Sequence, residues 1–120
     1  MNGGYYSAGK WWQDEKLWKA AQGHETVGVN VADYIGLDVG WNIGSLQNFA
    51  IEAQKVLSAD YSYPIILSEK GHIVDGRHRI VHAYMDGVET IRGVVLRDED
   101  FPEPDYDEYE ALKRKEEGND

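Results

Sequence analysis

Residues 63–96 read YPIILSEKGHIVDGRHRIVHAYMDGVETIRGVVL, from Tyr63 to Leu96. Pro64-Ile65-Ile66-Leu67 is a short unbroken apolar run, as expected of a strand covered on both faces, with the proline at its entrance where a missing N–H does least harm. Ser68 to Gly71 supplies a turn. His72-Ile73-Val74 then folds back as the second arm of a hairpin, which Asp75-Gly76 ends. A helix follows at once, from about Arg77 to Met85, with Ile80, Ala83 and Tyr84 facing inward, Asp75 or Gly76 as its cap and Asp86-Gly87 as its exit. Ile91 to Leu96 closes the unit as a last strand. The fold class this predicts is α+β, a small mixed sheet packed with helices around a strand-strand-helix-strand core.

A strand that ends in a glycine turn and passes straight into a helix aims unpaired backbone N–H groups at one spot, where the helix dipole adds positive potential. Asp75-Gly76-Arg77-His78-Arg79 is such a junction, and a phosphate-like anion is its natural occupant. Arg77, His78 and Arg79 can add charge-assisted hydrogen bonds from the first turn. The competing reading is a solvated basic helix start that pairs with nearby Asp or Glu. Gly76, Arg77, His78 and Arg79 thus form the candidate cofactor cradle, with His78 and Arg79 on the phosphates and Arg77 on a terminal phosphate or an acidic substrate. Phosphoryl transfer or hydrolysis would also need a carboxylate to hold Mg²⁺ or accept a proton. Asp75, Asp60 and His78 are the candidate catalytic residues, and Asp75 the candidate metal ligand. Asp75 as a plain helix cap, and Asp60 as turn chemistry before Tyr61, stand beside those roles. His78 and His82 have the four-residue spacing of a two-histidine metal pair, which His72 could approach, but phosphate contact or packing accounts for each equally well.

Working outward, Lys10 to Gln22 places Trp11, Trp12, Leu17, Trp18 and Ala21 at mixed three- and four-residue spacings before Gly23, which predicts a helix whose tryptophans pack on the sheet. Thr26 to Val31 alternates valines like a half-buried strand. Asp33 to Gly44, with three glycines and Tyr34, Ile35, Leu37 and Trp41, reads as a loop with aromatic anchors able to cover a pocket. Ser45 caps a helix from Leu46 to about Leu57, whose apolar face is Leu46, Phe49, Ala50, Ala53, Val56 and Leu57. After Leu96 the composition turns acidic. The predicted organisation is one domain over 1–96 and an acidic tail over 97–120, in which Asp107 to Glu116 forms a charged surface helix or stays mobile.

The net charge of −10 is concentrated in that tail, which holds 11 acidic and 4 basic side chains. Lys70, His72, Arg77, His78, Arg79 and His82 make one local cationic site on this acidic background, a pattern suited to a small anion and poorly suited to extended DNA. The absence of cysteine excludes disulfides, thiolate metal sites and a cysteine nucleophile, and fits the cytoplasm. The N-terminus lacks a basic region followed by an apolar stretch, and no run reaches the length of a membrane span.

The segments Tyr63 to Leu67, Ile73 to Arg79 and Ile91 to Leu96 resemble the core of the ParB/sulfiredoxin superfamily, in which a Gly-x-x-Arg or Gly-x-His-Arg turn holds nucleotide phosphates. Over residues 15–106 the chain looks like small stand-alone ParB-like proteins. The resemblance implies a nucleoside triphosphate (ATP or CTP) with Mg²⁺, and chemistry of the kinase or NTPase kind. Arg77 stands where sulfiredoxins carry their nucleophilic cysteine, so reductase activity is not implied. The DNA-binding and dimerisation domains that follow this module in chromosome-partitioning ParB are missing, which argues against a centromere clamp. A free serine kinase resembles the chain more closely than either of these, through an Asp-Gly-His-His-Arg turn, but its catalytic glutamate has no assigned counterpart in this sequence. The alternative, from a different class, is a non-enzymatic interaction protein whose acidic tail and aromatic N-terminal helix engage a basic partner, in the manner of a nucleic-acid mimic. A ParB-like nuclease is disfavoured by the charge.

Overall fold

A computed structural model describes residues 3–117 as β1 (Gly4–Ser7), β2 (Lys10–Gln13), α1 (Asp14–Ala21), β3 (Val27–Asn30), α2 (Leu46–Ser58), β4 (Ile65–Ser68), β5 (Ile73–Asp75), α3 (Arg77–Met85), β6 (Thr90–Leu96), β7 (Tyr106–Asp107) and α4 (Glu108–Glu117), with short 3-10 turns at Val31–Asp33 and Asp98–Asp100. Residues 1–2 of the expected domain and 118–120 of the expected tail lie outside the described residues. One sheet has the order β3-β6-β4-β5, and a smaller one the order β1-β2-β7. β4 and β6 run parallel while β4–β5 and β3–β6 are antiparallel, so the expected strand-strand-helix-strand core closes with β6 beside β4.

Period two distributes this core to both faces of the larger sheet. Ile65, Leu67, Ile73 and Ile91 point to one side, where they pack with Val29, Val31 and, from α3, Ile80 and Ala83. Ile66, Val74, Val94 and Leu96 point to the other, against Trp12 and Leu17. All four residues of β4 are buried, as its unbroken apolar run requires. Each fully buried aliphatic side chain here, Leu17, Ile65 and Leu96 among them, contributes about 1.5–3 kcal/mol relative to exposure.

The N-terminal reading needs correction. Lys10–Gln13 is a strand, and the helix is confined to Asp14–Ala21. Ala8 (φ 52°) and Gly9 (φ 80°) both lie in the left-handed region and close a two-residue hairpin with Ser7 opposite Lys10. The tryptophans therefore do not form one helical stripe. Trp12 is buried in the second core, Trp11 is half-buried on the opposite side of the strand, and Trp18 stays exposed on α1.

The stretch after Leu96, expected to lie beyond the domain, returns along β2. Trp12 Nε1 donates to the Pro102 carbonyl (2.8 Å), and the Trp12 ring lies 5.1 Å from Phe101 and 6.1 Å from Tyr5. The Asp105 N–H donates to the Trp11 carbonyl (2.8 Å), and Tyr106 pairs with Trp11 in the small sheet. Among the described residues only the body of α4 lies beyond this packing: Glu108 still donates its N–H to the Gly9 carbonyl (2.8 Å) and accepts from the Tyr6 hydroxyl (3.3 Å), and the charged helix expected near 107–116 forms there. Two inward assignments also change: Tyr84 is exposed on α3, and of the apolar residues named on α2 only Val56 is buried.

Candidate functional site

β5 carries the chain to Asp75, and Gly76 then turns it into α3 with φ 122°, a conformation that L side chains rarely adopt. The turn lies directly on β4, since a Cβ at Gly76 would sit 2.6 Å from the Ile65 Cβ. Gly76 is the N-cap and provides no side-chain cap, so the first N–H groups of α3 are left facing the turn. Asp75, the other expected cap, is used differently. Its Oδ2 accepts from Trp18 Nε1 (2.7 Å) and from Arg79 Nη1 (3.4 Å), and Arg79 also donates to the Pro64 carbonyl (3.3 Å).

In front of this turn is a cleft of about 410 Å³ lined by Lys55 and Ser58 of α2, Asp60, Tyr63, Asp75, Gly76, His78 and Arg79. His78 is held from two sides: its Nε2 is 2.6 Å from Glu52 Oε2, and its ring stacks on Trp41 at 4.2 Å and 12°. Trp41 comes from the glycine-containing loop, which thus covers one flank of the site. The hydrogen bond with His78 holds the Glu52 carboxyl below the usual range, and Lys55, 3.5 Å away, acts in the same direction. Asp60 Oδ1 accepts from the Ser62 N–H (3.0 Å) and hydroxyl (2.6 Å), and these bonds lower its pKa. Asp60 therefore makes the turn expected as its plainer role while also lining the cleft.

The sequence-predicted residues do not all meet. Asp60, Asp75, Gly76, His78 and Arg79 share the cleft; Arg77 does not. Its side chain lines a separate crevice beneath the 34–39 loop with Tyr34, Leu37 and Ile73, and its Nε is buried without a hydrogen-bond partner among the described residues. His82 is spent on structure, with Nδ1 2.8 Å from the Ala59 carbonyl and Tyr61 packed edge-on at 5.4 Å. His72 lines a different cleft, near Trp12 and Phe101. The two-histidine arrangement is thus divided between a Glu52 contact and a backbone contact. Lys55, Glu52 and Trp18 were missed because they come from other helices and carry no local motif.

No family model, curated protein or solved structure matches the chain.

A second cleft of about 520 Å³ adjoins the first. Trp18, Ala21, His24, Pro64, Ile66 and Val94 line it, and it shares Tyr63 and Arg79 with the polar cleft. One end of the combined groove is apolar and partly aromatic, and the other is rich in hydrogen-bonding and charged groups. For a divalent cation the polar end offers Asp75 and Asp60, whose protein bonds fall on one oxygen each. Among the described residues no group of three or more His, Asp or Glu side chains gathers to hold a metal ion, so Mg²⁺ here would take at most these two carboxylates, with substrate phosphates and water as its other ligands.

Asp14, at the first turn of α1, was not anticipated either. Burial, and after it the charge of Asp75, pushes its carboxyl up to about 6, while Arg79 opposes the shift. The native state holds this proton to higher pH than the unfolded chain, so the associated stability is present below the usual carboxylate range and lost as pH rises through 6. Asp14→Asn is expected to be more stable than wild type by about 1–2 kcal/mol at pH 8, after allowance for solvent screening, and equal to it near pH 4. Urea melts at a series of pH values check this; a pH-independent difference would contradict it.

Proposed function

We propose that this chain binds a nucleoside triphosphate, ATP or CTP, with its phosphates at the Gly76–Arg79 turn and its base in the adjoining apolar cleft. The observation that carries the reading is the meeting of the two clefts at Arg79 and Tyr63. A site for inorganic phosphate alone has no use for an apolar cleft of that size. Arg79, Lys55 and the first N–H groups of α3 oppose the phosphate charge. Mg²⁺ accompanies the phosphates, with Asp75 and Asp60 as its protein ligands, and phosphoryl transfer or hydrolysis is the reaction class the site serves. His78, oriented by Glu52, is the group assigned to accept a proton from the attacking hydroxyl or water. In this proposal the fold relationship is to the ParB/sulfiredoxin superfamily, and the compartment is the cytoplasm. Among the described residues, no helix is long and apolar enough to cross a membrane.

Calorimetric titration of ATP, ADP, CTP, GTP and inorganic triphosphate, each with Mg²⁺, tests the reading. Wild type is expected to bind a triphosphate, and Arg79→Ala to lose about 1.5–3 kcal/mol of affinity, ten- to more than a hundredfold. Because Arg79 also holds the Pro64 carbonyl and Asp75, the more exposed Lys55→Ala serves as a second variant, with a smaller loss, since among the described residues its ammonium pairs only with Glu52. No binding by folded wild type at low salt would overturn the proposal.

A second reading rests on α4, which lies outside both cores, exposes Tyr109 and Leu112, and carries four acidic side chains against three basic ones. It makes the chain an acidic interaction protein for a basic partner. Such binding would be sensitive to salt, would survive Arg79→Ala and would be lost on removal of residues after Asp107. A cut at residue 97 cannot test it, because it also removes Phe101 and β7.

A further inference from the structure

α2 is a 13-residue helix with its better half turned outward. Towards the domain it presents Val56, which is buried, and Glu52, which binds His78. On the other side Leu46 is 92% exposed, Leu57 62% and Phe49 59%. At 100° per residue, Leu46, Ala50, Ala53 and Leu57 fall along one line, with the alternating four- and three-residue spacing of a helix–helix seam. A helix this amphipathic ordinarily turns its apolar stripe to the core. Here part of that stripe has no cover within the chain.

The order of residues along the seam identifies its partner. About a point between Ile51 and Glu52, the seam reads the same in both directions: Leu46 mirrors Leu57, and Ala50 mirrors Ala53. A two-fold axis through that point brings an antiparallel second copy of α2 against the first, each leucine meeting the other leucine of its partner. The two alanines at the centre let the backbones approach closely. Gln47 and Gln54 flank the seam on one side and Phe49 on the other, so the positions of α2 beside the seam carry no ionised side chain despite a chain charge of −10. Leu46, Phe49, Ala50 and Leu57, with neighbouring Ile43, expose roughly 500 Å² of apolar surface per chain. Two such faces reach the threshold of about 1,000 Å² for a specific interface, at its weak end.

From this self-complementarity we infer that the chain forms a two-fold dimer through antiparallel packing of α2 on α2 of a second copy. The inference is independent of the nucleotide proposal.

Sedimentation equilibrium of the full chain is expected to give a monomer–dimer equilibrium over micromolar to millimolar concentration, reaching twice the 13.6 kDa chain mass. Leu46→Glu and Leu57→Glu should each remain monomeric across that range with an unchanged circular dichroism spectrum, since both leucines are exposed in the monomer. Because the chain has no cysteine, engineered thiols report without interference. In Leu46→Cys/Leu57→Cys the two thiols are about 16 Å apart along one helix, too far to bridge within a chain. This variant is expected to give a disulfide-linked dimer on mild oxidation, and either single variant much less. A wild type that stays monomeric, glutamate variants that still dimerise, or single variants that cross-link as readily as the double would each overturn the inference.

Discussion

Gly76→Ala is expected to lose about 3–5 kcal/mol of stability and, with it, anion binding. Two costs add. A φ of 122° costs a non-glycine residue about 1–3 kcal/mol, and a methyl forced against Ile65 costs about 1–3 more, since Ile65 is wholly buried in the middle strand region and has little room to yield. Gly71→Ala is the control. Gly71 also has positive φ, 81°, but nothing lies near its missing Cβ, so only the backbone cost of about 1–2 kcal/mol applies. Urea unfolding of both variants, paired with triphosphate titration, separates the effects. If Gly76→Ala loses no more than Gly71→Ala, the start of α3 is not held by Ile65 and the account of the turn fails.

The second large effect is at Trp12, where truncation to alanine should cost about 3–5 kcal/mol. Trp12 joins the small sheet to the large one: its ring is buried with Leu17, Val74 and Leu96, and Phe101 lies against it. Its Nε1 also satisfies the Pro102 carbonyl. Ending the chain at Arg97 removes Phe101, Pro102 and β7 together and is expected to destabilise the domain comparably. Thermal melts of Trp12→Ala and of the shortened chain test this. A shortened chain that melts like the full one would mean that residues 98–107 are an appendage after all.

How much of this could be read in advance depended on how far apart the interacting residues stand in sequence. From Tyr63 to Leu96 each element is local: an apolar run, a hairpin turn, a glycine before a helix, a last strand. These appear in the structure within a residue or two of their expected ends. The Ser45 cap was legible for the same reason, because its hydroxyl accepts from the Asn48 N–H three residues on. Lys10–Gln13 was misread because four residues are too few to establish a period. Trp11, Trp12, Leu17 and Trp18 satisfy helical spacing across what is in fact a strand–helix junction. Ala8-Gly9 was the overlooked signal, a two-residue turn between aromatic pairs.

In the candidate site the glycine turn and Arg79 could be found from the motif, whereas the partners of the motif could not. Glu52 lies 26 residues before His78, and Trp18 lies 57 before Asp75. Arg77 shows the converse, since adjacency to Gly76 in sequence does not decide which side of a helix a residue occupies. At 100° per residue, Arg77 and His78 diverge onto different faces, one toward the 34–39 loop and the other toward α2.

What the sequence determined by itself is the α+β core and the location of the glycine turn that starts α3, because strand period, turn glycines and helix starts arise from interactions between near neighbours in the chain. Tertiary structure alone decided that residues 98–107 complete the N-terminal sheet, that Glu52 and Trp41 hold His78, and that an apolar cleft adjoins the polar one. Each of those depends on contacts between segments distant in sequence, whose formation reflects the packing of the whole chain.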